Sequence, residues 1–116
     1  MLVDGQYLTA FCRGDFDAAR TLVSEDFDFE GPFTKVRGRD AFFESAAPLQ
    51  PLLRGLEVLR KWGDGDESCW IYELKLETPL GSGKVVMADW LTTRDGSVVK
   101  ERLVFDAAAF GALMPS

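Results

Sequence analysis

Asp89, Glu101 and Arg102 are polar residues set among neighbours that belong in a core. They lie in VVMADWLTTRDGSVVKERLVFD, residues 85–106, where two runs rich in apolar and β-branched residues flank Arg94-Asp95-Gly96. Such runs around an Asp-Gly pair are the local signature of a β-hairpin. A carboxyl between Met87 and Leu91 on the apolar face of a strand must take a proton or a hydrogen bond, because burying it charged and alone is costly. Two such carboxyls side by side hold one proton well above the ordinary range, which suits acid–base chemistry. Whether Asp89 meets Glu101 or Arg102 depends on the turn. A two-residue type I′ turn at Asp95-Gly96 pairs Thr93 with Val98, and so Asp89 with Arg102 in a buried salt bridge. A three-residue loop closed by Gly96 in the left-handed region pairs Thr93 with Ser97, and so Asp89 with Glu101.

Composition narrows the chemistry. The 116 residues contain no histidine. That removes the Ser-His-Asp and Cys-His mechanisms and every His-ligated metal site. Cys12 and Cys69 are far apart and form no metal-spaced pair, so they read as reduced core thiols. Catalysis falls to carboxylates, Tyr, Lys, Arg or backbone donors, with no cofactor. A net charge of −6 argues against nucleic acid, where a basic patch must neutralise phosphates. No apolar run approaches the ~18 residues of a membrane span. Asp4 interrupts the N-terminus and no basic segment precedes it, so no signal peptide is expected and the protein reads as cytoplasmic. With 47% hydrophobic and 28% charged residues, residues 1–116 read as one globular domain with a single core.

The elements that must position these groups follow from periodicity. Val3, Tyr7, Leu8, Phe11 and Cys12 recur at helical spacing, and Gly14 is placed to end that helix. Asp15 caps a second helix over Phe16 to Val23. Asp26 to Glu30 alternates as a half-buried strand, stopped by Gly31-Pro32. Gly38 to Ala47 reads as a third helix presenting Phe42, Phe43 and Ala46, after which Pro48 and Pro51 break the chain. Strands follow at Leu56 to Trp62 and Cys69 to Glu77, the latter with Trp70, Tyr72, Leu74 and Leu76 on one face. Then come the hairpin and a last helical turn over Ala107 to Leu113, capped by Asp106. Helices first and a meander afterwards give an α+β class: a cone-shaped, curved antiparallel sheet wrapped around N-terminal helices.

In this order and spacing the chain resembles the nuclear transport factor 2-like superfamily, including ketosteroid isomerases and SnoaL-like polyketide cyclases. The resemblance rests on Tyr7-Leu-Thr-Ala-Phe-Cys-Arg-Gly-Asp-Phe-Asp, the Asp26 to Pro32 strand, Gly38-Arg-Asp-Ala-Phe-Phe, and Asp89-Trp, Arg94-Asp-Gly and Leu103-Val-Phe-Asp106, nearly the whole chain. It implies a cystatin-like α+β barrel. It implies that Tyr7 and Asp89 match the oxyanion-hole tyrosine and protonated aspartic acid of ketosteroid isomerase, an acid that an apolar site keeps neutral so that it can donate. The general-base position is Gly31, with Glu30 adjacent. The implied register sets Glu101, Leu103 and Phe105 beside Asp89, which favours the three-residue loop.

Two functions follow. In the first, the cone binds a small apolar or aromatic oxygenated molecule. Tyr7 and Asp89 polarise its carbonyl, Glu101 or else Glu30 moves a proton, and Trp70, Tyr72, Met87, Leu91, Leu103 and Glu30 form the binding wall. The reaction is an isomerisation, cyclisation or hydration. In the second, the protein is a non-catalytic interaction module whose cone is filled by its own side chains and whose outer sheet face binds a partner. In both it is a homodimer, because the face of Ile71, Val86, Ala88, Trp90 and Val104 is too apolar for water. A solvent-connected cavity containing Tyr7, Asp89 and Glu101 supports the first; a solidly packed cone supports the second.

Overall fold

The computed structural model describes residues 2–114. Helix α1 (Val3–Cys12) buries Tyr7, Leu8, Ala10 and Cys12, the face set by its apolar spacing. Gly14, at φ 83°, turns the chain out of it, and Asp15 caps α2 (Phe16–Arg20) by accepting the Ala18 N–H. The helix ends three residues earlier than its apolar pattern predicts, because Val23 begins strand β1 (Val23–Glu30). The chain reverses at Gly31-Pro32 into β2 (Lys35–Arg37), too short to show a period in the sequence. Helix α3 (Arg39–Ala46) buries Phe42 and Phe43. Pro48 and Pro51 sit in a 3₁₀ segment over Ala47–Leu52, where short turns tolerate a missing N–H. Strands β3 (Leu53–Asp64), β4 (Glu67–Thr78), β5 (Gly81–Arg94) and β6 (Ser97–Phe105) follow. Asp106 caps α4 (Ala107–Leu113), accepting the N–H of Ala108 and Ala109.

Among the described residues the strands form one sheet in the order β2-β1-β6-β5-β4-β3. The architecture is α+β, a curved sheet around N-terminal helices. Two details differ from expectation. The sheet is open, not a closed barrel, and it is mixed, because β1 and β6 run parallel. Register shifts interrupt β3 near Gly55 and between Val58 and Arg60, and β6 opposite Thr92-Thr93. Each extra residue bends and twists its strand.

On the concave face, Leu8, Phe27, Leu76, Met87 and Leu91 are fully buried, each stabilising the fold by roughly 1.5–3 kcal/mol. Trp70, Tyr72, Leu74 and Leu76 all point inward, as the alternation in β4 requires. A polar staple fixes α1 to β4. Asp4 accepts the Gly5 N–H at 2.8 Å and the Ser68 hydroxyl at 2.7 Å, and Trp70 Nε1–H donates to Ser68 Oγ at 3.0 Å.

Candidate functional site: a buried carboxyl pair at a cavity wall

The β5–β6 turn has two residues, not three. Arg94 pairs with Ser97 and Thr93 with Val98, and both Asp95 (φ 52°) and Gly96 (φ 77°) lie at positive φ, the type I′ pattern. An unbroken ladder from that turn would put Asp89 opposite Arg102. A bulge intervenes. Thr92 pairs with Lys100, so Val99 has no partner. Beyond it Leu91 faces Glu101 and Asp89 faces Leu103. One extra residue inverts the alternation of the strand. Val98 points inward before the bulge, and Glu101 is buried after it while Arg102 is exposed. Asp89 and Glu101 therefore share the inner face, as expected, but as diagonal neighbours.

Their partners differ. Tyr7 O–H donates to Glu101 Oε1 at 2.5 Å, and Tyr72 O–H donates to Asp89 Oδ2 at 2.9 Å. Asp89 is 0% exposed, and its Oδ1 receives no donor. Burial, then the charge of Glu101, holds the Asp89 carboxyl well above the usual carboxylate range, with Tyr72 only partly opposing. Burial also raises Glu101, but hydrogen bonds from Asp89 and Tyr7 pull it back. Asp89 Oδ1 has no hydrogen-bond partner, and any bond between the two carboxyls needs a proton on one of them. Burial and the nearby carboxyls push Tyr7 and Tyr72 up, so both stay donors. Burial likewise keeps the Cys12 thiol protonated.

A cavity of about 400 Å³ opens beside the pair. Phe11 of α1 and Phe42 of α3 line it together with Phe29, Tyr72, Met87 and Leu103 of the sheet. Phe33, Phe105 and Phe110 cluster at one end, with ring centroids 5.0–6.0 Å apart. Among the described residues lining it, Glu101 is the one Asp, Glu, Lys or Arg.

Of the residues the sequence singles out, Glu101, Tyr72, Met87 and Leu103 line this cavity. Tyr7 and Asp89 sit behind its wall, 1% and 0% exposed, and touch it through Glu101 and Tyr72. They do not form the cavity-facing oxyanion hole that the resemblance implies. Trp70 and Leu91 point inward but outside the cavity, Trp70 in the staple and Leu91 in the packed core. Glu30 is not part of the wall; its carboxylate lies 3.3 Å from Arg102 Nε and 3.7 Å from Lys35 Nζ. Gly31 does line the cavity, yet a Cβ there would meet the Phe29 ring at 3.0 Å. The ring fills the space a base would need. Sequence reasoning missed the phenylalanines of the wall, because apolar spacing marks an inward face without saying whether that face meets packing or space.

A family model described as a SnoaL-like domain matches residues 5–101. The chain belongs to the SnoaL-like domain family. This SnoaL-like domain shares the fold of the nuclear transport factor 2-like superfamily. A crystal structure from Kribbella flavida is 28% identical, with a TM-score of 0.81 over 94% of this chain and 88% of that one. An LEH-like epoxide hydrolase of M. tuberculosis is 19% identical, with a TM-score of 0.81 over 96% and 86%. TerC co-crystallised with polyporic acid is 17% identical, with a TM-score of 0.80 over 96% and 94%. The last two likenesses show the fold alone. No curated protein matches the sequence.

Proposed function

We propose that this SnoaL-like domain binds one small, apolar, oxygenated molecule in its cavity, and that Glu101 moves a proton on it, as in an isomerisation or cyclisation. The observation that carries the proposal is Glu101 itself, an ionisable group at the wall of an apolar cavity with Tyr7 and the Asp89 carboxyl behind it. Burial raises the basicity of a carboxylate, and the Tyr7 hydroxyl orients it. Glu101 takes a proton from the carbon next to a ligand carbonyl and returns it to another position, so no oxidant or cofactor is consumed. Tyr7 and Asp89 are positioning residues in this scheme. The open volume favours this reading over a cone filled by its own side chains.

The assembly is a two-fold homodimer of one-domain, cytoplasmic chains. Its contact is the outer sheet face, where Val86, Trp90 and Val104 are 53%, 48% and 59% exposed. Aryl ketones such as α-tetralone, incubated in deuterated buffer, test the proton transfer. Wild type should speed deuterium uptake next to the carbonyl, and Glu101→Gln should lose about a hundredfold or more of that rate. Equal rates for both proteins would contradict the role given to Glu101.

A further inference from the structure

We propose that the ligand favoured by this cavity carries a cationic nitrogen, a protonated tertiary or a quaternary amine seated against Glu101 within the phenylalanine wall. The inference rests on the cavity being a small-molecule site and adds a cationic nitrogen to the oxygenated, otherwise apolar ligand proposed for it.

Three observations converge. First, the buried carboxyls have no counter-cation. Neither Asp89 nor Glu101 makes a salt bridge among the described residues, and no Lys or Arg lines the cavity. The groups facing the pair are Tyr7 and Cys12 of α1 and Tyr72 of β4, all uncharged. Any negative charge the two carboxyls carry is therefore unpaired in an apolar site. Buried charges are ordinarily paired. A ligand that brings the missing cation relieves that imbalance.

Second, Phe11, Phe29, Phe42, Phe105 and Tyr72 bring five aromatic rings to the cavity from five different elements. Phe42 lies 4.8 Å from Phe29 and 5.7 Å from Phe11, centroid to centroid, so a ligand among them meets several rings. An ammonium within about 6 Å of a ring centroid gains roughly 0.5–2 kcal/mol from the ring quadrupole. Alkyl groups on the nitrogen suit an apolar wall better than a bare ammonium does. Third, the chain's net charge of −6 favours the approach of cations and opposes that of anions.

The test is calorimetric binding of two molecules of one shape, benzyltrimethylammonium and its uncharged carbon counterpart neopentylbenzene, to wild type and Glu101→Gln. The cation should bind wild type at least about tenfold more tightly, and the preference should collapse in Glu101→Gln. Wild type alone decides the first part, whatever the folding of the variant. Neopentylbenzene binding as well as the cation would overturn this inference and leave the small-molecule reading standing. So would a cation preference that survives in a folded Glu101→Gln. Binding of neither molecule would overturn both.

Discussion

Buried beside each other, Asp89 and Glu101 compete for one proton, and their surroundings decide which keeps it. Asp89 has a single tyrosine donor and no access to water; Glu101 has Tyr7 and the cavity. The raised Asp89 carboxyl has a consequence for stability. A group that binds its proton more tightly when folded contributes most below its unfolded value, around pH 4. That contribution drains away as pH rises through the folded value, by about 1.4 kcal/mol per pH unit in that window. Asp89→Asn keeps the shape and a donor towards Glu101 but cannot ionise. Urea denaturation of this variant across pH should show that slope removed, with stability at or above wild type near neutrality. A variant that loses stability equally at every pH would mean that Asp89 works as an ionised acceptor. Tyr7→Phe strips Glu101 of its donor and leaves a buried acceptor short, so it should cost about 1–3 kcal/mol, read by the same denaturation series.

At the scale of elements, the single residue Val99 decides which groups meet. The Asp95-Gly96 turn by itself specifies Asp89 opposite Arg102, and only the bulge restores Glu101 to the inner face. Gly96, at φ 77° with nothing within 4 Å of an added Cβ, isolates the backbone part of this arrangement. Gly96→Ala should destabilise the fold by about 1 kcal/mol in thermal or chemical denaturation, without altering the cavity. The helices, the faces of β4 and the Asp106 cap were legible in the sequence because each rests on local spacing. The shared face of Asp89 and Glu101 was legible too, but by way of a three-residue loop that the chain does not form. Turn chemistry is local and readable; a bulge after Val98 is set by long-range contacts, among them the pairing of Val98 with Val23 of β1. The parallel β1–β6 contact, between segments far apart in sequence, leaves no periodic mark at all.

For the molecule as a whole, the helices and the open sheet leave two apolar surfaces, one inside and one outside. The inner surface is the cavity, whose residues looked like core in the sequence because Phe11, Phe29 and Phe42 obey the same spacing as Phe27 and Leu8. The outer surface joins Val86, Trp90 and Val104 to Trp62, which is 56% exposed and linked to Trp90 through the Cys69 row. If this face pairs two chains, sedimentation should give a dimer at micromolar concentration. Trp90→Lys should weaken the dimer by about 2 kcal/mol while leaving each chain folded. A monomeric wild type would leave that face without its proposed cover.

A proton held by the Asp89–Glu101 pair is the feature on which the proposed chemistry of the site depends. Carboxyl-carbon NMR of the two residues, followed as pH is raised, reads it without a ligand or an assay. Asp89 should keep its proton far above the ordinary value of about 3.9, and Glu101 should ionise before it. Two carboxyls both ionised near that ordinary value would contradict this picture, for each would then be a separately satisfied surface-like acid and Glu101 would have no partner holding its proton in reserve.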